Sequence, residues 1–328
     1  MKPQTKDVAL VLSSGGPRGF AYIGAIEELE SRGYKITSIA GSSMGSLIGG
    51  IYATGKLPDL KEWLFELDAW KVFSLMDVSI SSNHIVKGDK IIKAIKEVVP
   101  DMNIEDLKIP FKAVATDLYT GEEIVFTQGD LFDAIRASIS IPTLFRPVKL
   151  GYRTLIDGGI ANTLPLNRVD RNGNDLLIAF DVNEINISKM HDVQLEEYHF
   201  AQERIKEDQE RSDQTREIID SIKNNDALSF TERIKLVGLL GRKLISESII
   251  IEEEDNIDIG DTYYSLLDRT FSLMNHTISE MALIQNKPDI VVRMPFDAYG
   301  EISDYAKAQE ISDIGRQLMK EALDKWER

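Results

Sequence analysis

The chain has 328 residues, 38 Lys+Arg against 54 Asp+Glu, a formal net charge of −16 and no cysteine. The length suits one large domain or two ordinary ones, and the absence of cysteine excludes a disulfide scaffold, a thiolate metal site and a Cys nucleophile. The acidity argues against a nucleic-acid binder. No run approaches the roughly 18 apolar residues of a spanning helix, and Met1 to Asp7 lacks the pattern of a secretory signal, so a cytoplasmic protein is expected.

Val8 to Leu12 is a short apolar run stopped by Ser13-Ser14-Gly15-Gly16, which predicts a strand buried on both faces of a parallel sheet. A helix follows from Phe20 to Arg32, with Tyr22, Ile26 and Leu29 on one face and Gly33 as its stop. A second strand near Ser38–Ala40 runs into Gly41-Ser42-Ser43-Met44-Gly45 and then a helix to about Thr54. That helix contains Gly45, Gly49 and Gly50 and has no charge between Ser43 and Thr54. It should lie buried with another backbone close against it. Asp59-x-x-Glu62 resembles a helix start. From Trp63 through Trp70 and Phe73 to Met76 the composition is apolar. Core packing is the expectation there, with a mobile lid or a substrate-facing wall as the alternative.

Further strands are expected at Phe111–Thr116, Glu122–Phe126, Arg153–Ile156 and Leu176–Val182, and a helix at Leu131–Ile139. Residues 187–284 change to long helical stretches. Lys206–Glu217 has no apolar residue, so it is a solvated helix or a disordered segment. Ser229-x-x-Glu232 is a capping box before Ile234, Val237, Leu240, Leu244 and Ile245; this amphipathic stretch could lie on a bilayer, though core packing is the expected use. Glu252–Asp255 reads as an acidic loop. Strand character returns at Pro288–Val292, and a last helix from about Ser303 should bury Ile311, Ile314, Leu318, Ala322 and Trp326. The α/β pattern closes after the helical stretch, so residues 1–328 read as a single α/β domain with an insertion at 187–284.

Three segments carry chemistry. Gly41-Ser42-Ser43-Met44-Gly45 is a G-x-S-x-G between strand and helix, where a nucleophilic Ser43 needs small neighbours and gains from the helix N-terminus; a plain helix N-cap is the alternative. In Ser14-Gly15-Gly16-Pro17-Arg18-Gly19 the backbone N–H groups of Gly15, Gly16, Arg18 and Gly19 can face an anion, whereas Pro17 has none to offer. Neither a dinucleotide fingerprint nor a P-loop fits. Asp157-Gly158-Gly159 places an aspartate at a strand end, where burial would raise its pKa toward that of a useful base; an ordinary Asp-Gly turn is the alternative. His84, His191, His199 and His276 lie in no recognisable strand-end turn, and no His/Asp/Glu spacing suggests a metal site.

These segments, with Ala137-Ser138-Ile139-Ser140-Ile141-Pro142, resemble in order the four blocks of patatin-like phospholipases over about residues 8–182. The resemblance implies an α/β, three-layer patatin-like fold with a mostly parallel central sheet plus the helical insertion. It further implies a Ser–Asp dyad of Ser43 and Asp157, an oxyanion hole from Gly15, Gly16, Arg18 and Gly19, elbow glycines Gly41 and Gly45, no cofactor, and hydrolysis of phospholipid or other acyl-ester lipids, with transient membrane contact. Ser14 departs from the family, which usually has glycine there; a positive φ would make serine costly. An acyltransferase on a related fold, a Ser–His–Asp esterase and a non-catalytic lipid-binding scaffold are the alternatives. Lipid head group, chain length and oligomeric state are not specified by the pattern. The charge is uneven: residues 1–180 balance to −2, whereas 181–285 hold 11 Lys+Arg and 23 Asp+Glu, a balance of −12. An insertion so acidic disfavours adsorption to anionic membranes.

Overall fold

The computed structural model describes residues 6–75, 84–86, 88–224, 228–229, 231–232, 234–236, 238–239, 263–299 and 302–328. The chain divides into two compact units, one formed by residues up to Ile185 with Thr270–Arg328, the other by Asn186–Arg269.

In chain order the first unit runs β1 (Asp7–Leu12), a 3-10 turn (Gly16–Phe20), α1 (Ala21–Ser31), β2 (Lys35–Ser42), α2 (Met44–Thr54), α3 (Leu57–Phe65), α4 (Ala69–Leu75), β3 (His84–Val86) and α5 (Asp89–Val98). It continues with β4 (Phe111–Asp117), β5 (Glu123–Phe126), α6 (Leu131–Ser138), β6 (Thr143–Phe145), β7 (Val148–Leu150), β8 (Arg153–Asp157), α7 (Gly159–Asn162) and β9 (Leu176–Glu184). After the second unit come the end of a helix spanning Tyr263–Asn286, β10 (Ile290–Pro295) and a C-terminal helix (Ala308–Glu327).

The main sheet has the order β10-β9-β1-β2-β4-β8-β7, with β5 beside β4. β10 through β4 are parallel, and β8, β7 and β5 are antiparallel additions. Strand alternation makes the layers. Val8, Leu10, Leu12, Ile178 and Phe180 face the large core shared with α1, α2 and the C-terminal helix. Ala9, Val11, Ala40 and Ala179 face Leu164, Leu166 and Leu283 on the other side. Both faces of β1 are covered, as its unbroken apolar run requires.

α1 and the C-terminal helix cross at a pair of glycines. A Cβ on Gly24 would lie 1.9 Å from the Ser312 carbonyl oxygen, and one on Gly315 would lie 1.9 Å from that of Ala21. The face of the C-terminal helix that reaches deepest is therefore Ile311, Ser312, Gly315, Met319 and Leu323. Of the five residues expected to be buried, Ile311 is; Ile314, Leu318, Ala322 and Trp326 are only partly covered, because the glycine contact sets the rotation of the helix.

Two other local expectations change. α3 begins at Leu57 with Pro58 in its first turn, so Asp59 lies inside the helix rather than capping it. Core packing holds for Leu64 and Val72 but not for Trp70 and Phe73, which are 77% and 58% exposed. The two-turn α4 has one covered side, and these rings lie on the other, 6.1 Å apart.

In the second unit, α8 (Ile187–Lys223) carries Lys206–Glu217 as continuous helix. Glu232 Oε2 accepts from both the backbone N (2.9 Å) and the hydroxyl (2.6 Å) of Ser229, the expected capping box. Ile234 there is 58% exposed. Val237, Leu240, Leu244, Ile245 and Glu252–Asp255 lie outside the described residues. Among the described residues no helix is long and apolar enough to cross a membrane.

Gly315→Ala places a methyl group where the Ala21 carbonyl already sits. We expect a loss of about 1–3 kcal/mol or more, read as a lower urea midpoint.

Candidate active site

Sheet topology brings Ser43 and Asp157 together. β2 runs parallel to β4 and ends with Ser42 opposite Val114. β8 runs antiparallel to β4 and ends with Asp157 opposite Ala115, the next residue. Since β5 pairs with Val114 and Ala115 from the other side, β2 and β8 occupy the same edge of β4 and meet end to end. The residues that leave those two strand ends are therefore forced close.

Ser43 turns the chain sharply between β2 and α2, with φ 52° and ψ −121°. It and Lys287 are the non-glycine residues with positive φ among those described. Such a backbone costs of order 1–3 kcal/mol, and small neighbours make it feasible. A Cβ on Gly41 would lie 2.3 Å from the Gly45 carbonyl oxygen, and one on Gly45 would lie 2.3 Å from that of Leu12. The backbone expected close against α2 is thus β1, at Gly45; Gly49 and Gly50 face the side chains of Ile39 and Phe111.

The Ser43 hydroxyl donates to Asp157 Oδ2 at 2.5 Å, and the Gly159 N–H donates to Oδ1 at 2.8 Å. Both residues are buried, at 4% and 6% exposure. Burial pushes the Asp157 carboxyl up to about 6, against the opposing pull of its hydrogen bonds from Ser43 and Gly159. No ion pair reaches Asp157 among the described residues, so the carboxylate is held by hydrogen bonds alone. Ser43 opens onto an apolar pocket lined by Phe20, Met44, Leu47, Trp63, Ile139 and Phe145, among others.

The glycine-rich turn lies beside this pair, and its members differ in position. Gly16, at φ 55°, lines the pocket with Ser43. Gly15 packs where a Cβ would strike Val182, and Gly19 where one would strike Met44, each at 2.2 Å. The Arg18 side chain is buried and points away into the fold, its Nε donating to the Val182 carbonyl at 3.0 Å and its Nη1 to those of Phe296 and Tyr299 at 2.7 Å each. Ser14 does not have a positive φ, so its departure from glycine carries no backbone penalty.

Ser138 enters the site without having been singled out. Its hydroxyl accepts the Ser43 N–H at 2.9 Å and donates to the Val114 carbonyl at 2.5 Å, while its carbonyl accepts the Gly158 N–H at 3.2 Å. It therefore ties Ser43, β4 and the Asp157 turn together. The signal was present in Ala137–Pro142, where two serines stand in an apolar run; buried hydroxyls need partners. Among the histidines, His276 sits with Nδ1 2.9 Å from the Asn183 carbonyl oxygen, and His191 and His199 lie in α8. No imidazole stands between Ser43 and Asp157, which are bonded directly.

Residues 10–170 match the model of the family described as patatin-like phospholipase. Uncharacterised NTE family proteins of Mycobacterium bovis and Mycobacterium tuberculosis are each 45% identical over 176 residues, which is 54% of this chain and 49% of theirs. Neuropathy target esterase sws of Drosophila melanogaster is 30% identical over 183 residues, 53% of this chain and 13% of its own length. The matched region spans about half the length of the mycobacterial relatives. Residues 10–170 are thus a patatin-like phospholipase region, and the mixed α/β fold with its central sheet is consistent with the three-layer fold of that family. In general terms that family implies lipid acyl hydrolysis.

The pKa of Asp157 has a thermodynamic consequence. Because its folded value, about 6, lies above the ordinary 3.8, its contribution to stability is full below the unfolded value and is lost as pH rises through about 6. Asp157→Asn removes that loss. The stability of the variant relative to wild type should rise by up to about 3 kcal/mol between pH 4 and pH 7.5, measured by urea unfolding of both proteins across that range.

Proposed function

We propose that the protein is a serine lipid acyl hydrolase, of the phospholipase A, lysophospholipase or carboxylic esterase type, working through a Ser43–Asp157 dyad and an acyl-enzyme. The observation that carries this reading is the direct 2.5 Å hydrogen bond to a buried carboxylate from the hydroxyl of Ser43, a residue that lines an apolar pocket. A base with a pKa near 6 is mostly ionised at neutral pH yet basic enough to share the serine proton.

In the forward step Asp157 takes the hydroxyl proton as Ser43 Oγ bonds to the ester carbonyl carbon, and the carbonyl oxygen becomes an oxyanion. The Gly15–Gly19 turn and the N-terminus of α2 offer N–H groups to that charge. The C–O bond to the alcohol breaks, and the alcohol leaves with the proton from Asp157. Water then attacks the acyl-enzyme, giving a proton to Asp157. The fatty acid departs as that proton returns to Ser43.

The apolar lining of the pocket suits an acyl chain. Val72 and Leu75 of α4 belong to that lining, while Trp70 and Phe73 on the same helix face solvent. This arrangement supports a substrate drawn from a lipid–water interface, where such aromatic rings settle. We further read residues 1–328 as one α/β domain whose segment 187–284 is an acidic insertion that leaves the dyad intact.

Ser43→Ala and Asp157→Asn should each lower kcat/KM on a short-chain chromogenic ester and on a phospholipid by about 10³-fold or more. A fluorophosphonate should label wild type at Ser43 alone. For wild type, kcat/KM should climb through pH 6 and then level off, as Asp157 ionises. Wild-type turnover by either variant excludes the dyad.

A further inference from the structure

Beyond the dyad, a buried polar cluster stands behind the glycine-rich turn, at the C-terminal end of β9. Asn183 there is fully buried. Its Nδ2 lies 2.8 Å from the Ser14 carbonyl oxygen, 3.1 Å from Ser13 Oγ and 2.9 Å from Asp181 Oδ1. Its Oδ1 has no partner. A flipped amide would aim an oxygen at a carbonyl and a carboxylate, so the surroundings fix the nitrogen toward Ser14. Asp181 is itself held, with Oδ1 accepting from the Asn183 N–H and from the Ser279 hydroxyl, both at 3.1 Å. Its Oδ2 is unpartnered.

This cluster is costly. Burying an amide and a carboxyl together takes both out of water, which costs free energy that their hydrogen bonds only partly offset. An apolar strand end would avoid both, so the expense calls for something that the amide does.

The peptide between Ser14 and Gly15 supplies an answer. In a trans peptide the C=O and the following N–H point to opposite sides. The Ser14 oxygen accepts from Asn183 Nδ2 and also from the Ser13 hydroxyl at 2.9 Å, so the Gly15 N–H is turned away from that side. The preceding peptide is pinned as well, since the Ser14 N–H donates to the Thr163 carbonyl at 2.9 Å and the Thr163 hydroxyl donates to the Gly159 carbonyl at 2.6 Å. The turn is thus gripped by β9 through Asn183 and by the segment following Asp157 through Thr163.

We propose that Asn183 is a positioning residue: by holding the Ser14 carbonyl, its side-chain amide aims the Gly15 N–H at the oxyanion formed on attack by Ser43. This rests on the hydrolase reading above, and the experiment separates the two. The full chain is compared with Asn183→Leu and with Asn183→Ala. Each protein is assayed on a soluble chromogenic ester. Each is also titrated with a trifluoromethyl ketone, which bonds to a serine and carries an oxyanion, and with the matching alkyl ether, which carries none. Removing one oxyanion donor costs about 10²–10³ in kcat, and loss of aim should cost roughly 30-fold or more. The expected result is that fall in kcat with KM nearly unchanged, and a similar loss of affinity for the ketone with none for the ether.

Equal weakening of both ligands, or no change in either, overturns the proposal. Asn183→Ala leaves space rather than adding bulk, so it carries the test where the leucine variant does not fold. Failure of both to fold assigns Asn183 to stability and overturns the proposal too. If wild type forms no ketone adduct, the hydrolase reading itself fails.

Discussion

A carboxyl buried with no cation beside it among the described residues is the constraint around which this site is arranged. Asp157 has the Ser43 hydroxyl on one oxygen and the Gly159 N–H on the other. In water a carboxylate would accept more bonds than that, so the site keeps the group partly under-solvated and raises its pKa. The same deficit makes it a better base than a surface aspartate. In the proposed reading, burial is what lets a Ser–Asp pair do without an imidazole.

That arrangement depends on how two strands end. β2 and β8 approach from opposite directions along one edge of β4, and their last residues pair with adjacent positions, Val114 and Ala115. A shift in either register would part Ser43 from Asp157 by a residue spacing of about 3.3 Å. Ser138, bonded to Ser43, Val114 and Gly158, locks that register. The strained backbone at Ser43 persists because it is held from several sides at once. The glycines around the elbow matter chiefly through what they lack: Gly41, Gly45 and Gly19 each stand where a methyl group would meet a neighbouring atom.

Much of this was legible in the chain. The apolar run Val8–Leu12, the G-x-S-x-G of residues 41–45 and Asp157-Gly158-Gly159 each had a local pattern with a mechanical reason, and the strands and helices lie close to where periodicity placed them. Where local reading missed, a contact from elsewhere decided. The rotation of the C-terminal helix comes from Gly24 meeting Gly315, nearly 300 residues apart. The exposure of Trp70 and Phe73 follows from which side of α4 is covered. The Arg18 side chain, which local reading left unassigned, holds the carbonyls of Val182, Phe296 and Tyr299, a contact that no spacing rule connects to it.

The net charge of −16 bears little on the proposed reaction. Most of the excess falls in 181–285, while the half that holds Ser43 and Asp157 is nearly neutral. The sequence by itself determined the elements and the tight turn at Ser43, because these depend on neighbours within a few positions; Ser43 and Asp157 stood out as a candidate pair through the family resemblance of their segments. Only the tertiary structure decided that Ser43 and Asp157 touch, that the carboxyl is buried enough to change its pKa, and that Ser138 and Asn183 stand around them. Those properties arise from strands meeting across the sheet, and sheet pairing is not written in local spacing.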